Sequence, residues 1–182
     1  MDETADATEV LAFWWQAGPQ RWFTRDEAFD EVCRSRLGKL HARAAAGELD
    51  HWAGAPHSML ALILLLDQVS RNIYRDRPEA FAQDAKALKL AESAVDKGFD
   101  RAYPLPARGF FYMPFEHAED MAAQERSVDL FRMTGDQEFT YFALVHLDVI
   151  RRFGRFPHRN AVLGRQTSAA EQAYLDSGGF SA

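Results

Sequence analysis

Pro56-His57-Ser58-Met59-Leu60-Ala61-Leu62-Ile63-Leu64-Leu65-Leu66 is the stretch that decides the fold. Proline suits the first turn of a helix, where its missing N–H has no intrahelical partner to lose, so Pro56 opens one. From Met59 to Leu66 every side chain is apolar, on all sides of that helix. Such a helix has to be buried on every face, and other elements must surround it. The run falls far short of the roughly 20 residues needed to span a bilayer, so it predicts a central helix of a globular protein.

The flanking segments supply the shell. Thr8 is placed to cap a helix bearing Val10, Leu11, Phe13, Trp14 and Trp15, which ends near Gly18-Pro19. Thr24 or Asp26 starts the next, with Phe29, Val32, Cys33, Leu37 and Leu40 at helical spacings and an alanine run to Gly47. After the central helix, another begins near Pro78 and runs to Gly98, with Phe81, Ala85, Leu88, Ala91 and Val95 on one stripe. Pro104, Pro106, Gly109 and Pro114 then interrupt the aromatic Phe110-Phe111-Tyr112, and residues 100–116 read as a long ordered loop. Helices resume over about His117 to Met133 and Gln137 to Arg152. Thr167 or Ser168 caps a short last helix, with Glu171 completing a capping box. Nothing reads as a strand with a hairpin turn. The expected fold is all-α, a single compact domain over residues 1–182. Paired helices with short turns suggest antiparallel hairpins stacked in a tetratricopeptide-like array. The segment Ala87 to Asp96 resembles the second helix of such a repeat, although no clean period of about 34 residues appears. A compact helical bundle is the competing architecture.

The chain has 182 residues, 47% of them hydrophobic and 26% charged, which is ordinary for one soluble domain. Its formal charge of −6 argues against general binding to nucleic acid or anionic membranes, both of which need a broad basic surface. Cys33 is the single cysteine, so neither an intramolecular disulfide nor a cysteine-based zinc site can form. The opening Met1-Asp2-Glu3-Thr4-Ala5-Asp6 is acidic where a secretory leader would be basic. A cytoplasmic location is expected, with no membrane association and no cofactor.

Against this acidic background Phe153-Gly154-Arg155-Phe156-Pro157-His158-Arg159-Asn160-Ala161-Val162-Leu163-Gly164-Arg165 stands out, with three arginines, a histidine and an asparagine among aromatics and glycines. Arginine forks match the oxygens of carboxylate and phosphate, and Arg155 and Arg159 flank His158. Asp67 and Arg71 lie four apart at the end of the central helix, close enough to pair, with Gln68, Asn72 and Arg75 beside them. Glu116, His117, Glu119 and Asp120 follow Pro114 and fall in what reads as a first helical turn, where carboxylates favour the helix dipole. His117, Asp120 and Gln124 then share a face. His146 falls on the apolar stripe Phe139, Phe142, Ala143, Ile150 and Phe153, where a hydrogen-bonded core histidine is the plain expectation. No phosphate-binding loop, nucleophile elbow or HExxH spacing is present.

Four stretches together resemble a known family: Val10 to Trp15, Leu66 to Arg75, Tyr112 to Asp120, and Phe153 to Arg165. They occur in the order found in a bacterial family described as domain of unknown function 924. Ala118 stands where a serine is usual, and Val69-Ser70 where Phe-Pro is usual. The resemblance implies an all-α fold of tetratricopeptide-like hairpins and supplies no activity. Its motif positions map onto Asp67, Gln68, Arg71, Asn72, Arg75, Glu116, His117, Glu119, Asp120, Gln124, His146, Arg155, His158, Arg159 and Asn160.

Three functional readings follow. In the first, Arg71, Arg155 and Arg159 hold a small anion, phosphate or carboxylate. Asn72 and Asn160 add hydrogen bonds, Asp67 and Glu116 orient the arginines, His146 lines the site, and His117 or His158 transfers a proton if the site is catalytic. In the second, Glu116, His117, Asp120 and His146 form a metal-assisted hydrolase. In the third, the helices form a protein-interaction module, with a protein partner or a homodimer through Trp14, Trp15, Trp22 or Trp52. Beside all three stands a structural alternative, in which the arginines pair with the acidic turn at Glu116 to Asp120 and lock helices together.

Overall fold

A computed structural model describes the backbone of residues 3–181 and the side chains of residues 6–181. Met1, Asp2 and Ala182 lie outside the described residues, as does part of the acidic opening. Among the described residues every regular element is helical. The chain divides into two compact units, Met1–Arg75 with Glu79–Phe111, and Asp76–Pro78 with Tyr112–Ala182.

The first unit contains α1 (Glu3–Ala17), α2 (Pro19–Trp22), α3 (Glu27–Ala45), α4 (Pro56–Leu64), α5 (Ser70–Ile73) and α6 (Asp84–Asp96). Pro56 sits in the first turn of α4, as its chemistry requires. Met59 to Leu66 is fully buried, and α4 packs on α1, α6 and the 3₁₀ turn Asp50–Gly54. Between α4 and α5 the helix swells into a π-turn, Leu65–Val69, which carries Asp67 and Gln68. Asp26 caps α3, accepting from Phe29 N at 3.0 Å. Thr8 does not cap α1, which begins earlier; its hydroxyl lies 3.1 Å from His57 Nε2. The buried face of α6 is Ala87, Ala91 and Ala94 rather than the stripe through Ala85 and Val95, because close packing against α4 admits small side chains.

The tryptophans are interior. Trp14 stacks on Trp22 and meets Phe110 edge-on, and Trp22 Nε1 donates to Trp14 O at 2.7 Å. Trp14, Trp22 and Trp52 are buried and Trp15 is partly covered, so the expected tryptophan surface for a homodimer does not exist. Amphipathic aromatics here serve as core, packing on one another.

Helix α7 (Gly109–Glu116) gives its first turn to the first unit and the rest to the second. It occupies the region expected to be a loop. Pro114 lies inside it, yet Phe110, Phe111, Tyr112, Met113 and Phe115 are all buried. Burial of five large side chains outweighs the one hydrogen bond that proline forfeits.

The second unit continues with α8 (Met121–Thr134), α9 (Gln137–Phe153) and α10 (Ala169–Asp176). Helices α8 and α9 form a hairpin through left-handed Gly135 and the N-cap Asp136. Val149, Ile150 and Phe156 form a core cluster, flanked by Met121, Phe153, Tyr174 and Phe180. Phe142, expected on the inner stripe of α9, faces solvent beside Tyr141, whereas Ala143, His146 and Ile150 are buried. Ser168 and Glu171 form the capping box of α10. No described helix is long and apolar enough to cross a membrane.

Candidate functional site

In the second unit the chain leaves α7 at Glu116 and turns through His117 to Asp120. Helix α8 therefore starts later than expected, and His117, Asp120 and Gln124 do not share a helical face. Asp120 is its N-cap, accepting from Ala123 N at 2.8 Å. Gln124, fully buried, ties the turn down by donating from Nε2 to Glu116 O (2.6 Å) and Ala118 O (2.8 Å). Glu116 ends up buried, with Oε1 3.1 Å from His146 Nδ1. That proximity is not a hydrogen bond, because the Nδ1 proton points to Phe142 O, 2.8 Å away. A carbonyl can only accept, so Nδ1 is the donor in this bond. Glu116 Oε1 is left buried without a hydrogen-bond partner.

The arginine segment follows α9 after left-handed Gly154. Each outer guanidinium is held by a carboxylate in two-pronged geometry. Arg155 donates to Glu171 Oε1 and Oε2 (2.6 and 2.9 Å) and to Gln166 O (2.7 Å). Glu171 accepts in turn from Ser168 N, and the Arg155 hydrogen bond is the largest influence keeping its carboxyl well below the usual range. Arg165 grips Glu119 (2.6 and 2.9 Å) and donates to Asn160 Oδ1 (2.9 Å) and Phe156 O (3.1 Å). Burial would raise the Glu119 pKa, but hydrogen bonds from Arg165 and the Phe156 N–H lower it overall. Arg159 is buried, lies 4.5 Å over the Phe156 ring and donates to His117 O at 3.1 Å.

Three histidines gather around this frame. The His117 and His146 rings are 6.2 Å apart, and Phe156 lies 5.6 Å from both His146 and His158. Burial pushes the His158 pKa down to about 3, helped by the positive charge of Arg159 and by His146, so the ring is neutral at physiological pH. One edge of His158 bonds the backbone of Phe180; Nδ1 is buried and has no hydrogen bond.

Asp67, Arg71 and Asn72 belong to the first unit and are tied there. Arg71 donates to both carboxylate oxygens of Asp84 (2.9 and 3.0 Å) and to Asp67 O (2.8 Å), with Asp67 Oδ1 at 3.2 Å. Asn72 Nδ2 donates to Asp30 (2.7 Å), which Arg75 also grips. The second unit thus brings together Glu116, His117, His146, His158 and Arg159, framed by Arg155 and Asn160. Of the proposed metal set, Asp120 is spent as a cap, and no group of three His, Cys, Asp or Glu side chains among the described residues is placed to share an ion. The acidic turn does anchor an arginine, but it is Arg165 on Glu119; Arg155 goes to Glu171 instead. Arg165, Glu171, Asp84, Asp30 and Phe180 were not picked out as site residues by the sequence. Arg165 lay inside the basic segment and Glu171 had a capping role that hid its second bond, while nothing in the sequence marked Phe180.

Comparison with known proteins agrees with this architecture. Residues 10–179 match a family described as "Bacterial protein of unknown function (DUF924)". No curated protein matches. A solved structure, that of the protein of unknown function ATU0120 from Agrobacterium tumefaciens, is similar at 44% identity and a TM-score of 0.93, covering 97% of this chain and 100% of that one. With its four motifs in order and the match running over nearly its whole length, the chain belongs to the DUF924 family.

Proposed function

We propose that the second unit binds a small anion that carries its own hydrogen-bond donor, such as hydrogen phosphate or a hydroxy- or amino-carboxylate, at His158. His117, His146, Glu116 and Arg159 surround it, while Arg155, through Glu171 and Gln166 O, and Asn160, through Thr167 and Arg165, tie the segment down. The carrying observation is the half-buried, neutral His158 ring, whose Nδ1 is buried without a hydrogen bond, with the Arg159 guanidinium acting on it. A buried polar atom without a partner costs on the order of 1–3 kcal/mol, so its retention calls for a compensating role. The Arg159 guanidinium favours an anion there, against the opposing charge of Glu119, and the lone pair asks the anion for a donor. Glu116 Oε1, 3.1 Å from His146 Nδ1 and without a hydrogen bond, is a second acceptor that only the donor of such an anion could meet. With so low a pKa, His158 acts here as a hydrogen-bond acceptor and not as a proton donor. Arg71 is left out, since its fork is filled by Asp84 within the first unit.

The test is a phosphate titration followed by histidine NMR resonances in wild type and His158→Asn. A saturable shift of the His146 and His158 signals, with binding lost in the variant, is expected. If phosphate to about 50 mM, far above the millimolar Kd of a weak site, moves none of these signals, the anion reading is wrong.

A further inference from the structure

Beyond α10 the chain makes a tight turn and comes back over the histidines. Gly178 adopts φ 79°, and Gly179 leaves no room for a side chain, because a Cβ there would lie 2.5 Å from the Tyr174 ring and 2.6 Å from Tyr174 O. The turn closes with Gly178 N donating to Leu175 O and Gly179 N to Tyr174 O. Phe180 N then donates to Tyr174 Oη at 2.8 Å, which fixes where its side chain goes. That ring lies 4.2 Å from His146, 5.4 Å from His158 and 6.4 Å from Phe156. The backbone of the same residue also accepts a hydrogen bond from His158.

We infer that Gly178–Phe180 is a displaceable cover over His146 and His158, which keeps solutes from the pair until it swings away. The inference rests on reading that pair as a ligand site. Two features distinguish a cover from ordinary core packing. First, besides the apolar cluster it flanks, Phe180 lies against two imidazoles near polar atoms with unspent capacity, His158 Nδ1 and, through His146, Glu116 Oε1. An aromatic ring cannot satisfy them, so the closed state carries a cost that a hydrogen-bonding ligand removes. Second, the cover is lightly held. Phe180 is only partly buried, and its hydrogen bonds run to one hydroxyl and one imidazole at the end of an element, where opening costs least. The hinge lies at Gly178, whose φ larger residues resist, and at Gly179, where a Cβ has no room. Binding and opening are therefore coupled, and the apparent affinity is the intrinsic one reduced by the open fraction.

The experiment compares histidine acylation by diethyl pyrocarbonate, read peptide by peptide, in wild type, Phe180→Ala and Tyr174→Phe, without ligand. Tyr174→Phe removes the hydroxyl that anchors Phe180 N yet keeps the ring that packs 5.1 Å from Phe153. The six histidines give internal controls: His51 and His57 are exposed, and His41 is buried in the first unit. In both variants His146 and His158 should react about tenfold faster, the gain expected when a state open about a tenth of the time becomes the main one. His41 should stay slow. Should His41 accelerate too in Phe180→Ala, the milder Tyr174→Phe decides. Wild-type rates at His146 and His158 in Tyr174→Phe and Phe180→Ala overturn the cover. Phosphate added to the variants separates the two ideas: faster acylation with no phosphate protection keeps the cover and removes the anion.

Discussion

Arg165 and Glu119 face each other fork to fork, at 2.6 and 2.9 Å, and the same carboxylate accepts the Phe156 N–H at 2.8 Å. One ion pair thus joins the turn before α8 to the loop after α9 and fixes the backbone two residues before His158. Both side chains are about one-quarter exposed, which limits the pair's contribution. A double-mutant cycle with Glu119→Gln and Arg165→Ala should give a coupling of about 1–2 kcal/mol, measured by urea unfolding. Arg165→Lys should recover only part of it, because an ammonium cannot engage both oxygens in the same plane.

The first unit should be more sensitive. Arg71 is enclosed by Asp84 and Asp67, with all three side chains mostly buried. Without Asp84 the buried guanidinium loses its two-pronged partner and keeps only Asp67, so Asp84→Ala should destabilise by about 3 kcal/mol. Melting would fall by roughly 6–12 °C for a chain of this size. An unchanged melt would mean that Arg71 finds another acceptor at no cost.

Stability should fall as pH drops below neutrality, in two stages with different owners. His158 has its pKa depressed from 6.5 to about 3, and that of buried His41 is lowered as well. The unfolded chain takes up those protons first, so stability is complete above pH 6.5 and declines below it, by about 1.4 kcal/mol per pH unit per group at most. Glu119, Glu171 and Asp30 have lowered carboxyl pKa values, so their share is complete above about 4.5 and is lost only as the pH falls further. Urea unfolding of His158→Gln should show a shallower slope between pH 6.5 and 4.5, with the steeper acid limb kept. An identical slope in the variant would show that His158 protonates freely in the folded state.

Glu171 has two duties, one in the capping box of α10 and one on Arg155. Ser168→Ala removes only the cap and should cost about 1 kcal/mol. Glu171→Ala removes both and should melt lower than Ser168→Ala. If the two variants melt together, the Arg155 bond adds nothing to the folded state.

What the sequence disclosed and what it hid divides by distance along the chain. Asp26, Pro56 and the Ser168–Glu171 box were legible because a cap is settled within four residues. The burial of Met59 to Leu66 was legible because no amphipathic alternative existed for it. Helix α7 reads as a loop in the sequence because Pro114 is a local breaker, whereas the burial of its five large apolar neighbours is a tertiary effect. The residues of the candidate site were visible as types, but their partners were not. Arg165 meets Glu119 across 46 residues, Arg155 meets Glu171 across 16, and Arg71 meets Asp84 across 13, separations that periodicity does not report.

The π-turn at Leu65–Val69 holds one residue more than an α-turn would, so everything after it is rotated by roughly 100° from a straight continuation. Arg71 and Asn72, which reach Asp84 and Asp30, lie directly after that offset. Deleting Leu66 would produce a more regular helix whose polar side chains are turned away from their counter-charges. The chain keeps its internal addresses through a flaw in its own regularity, and an idealised version of this segment would lose them.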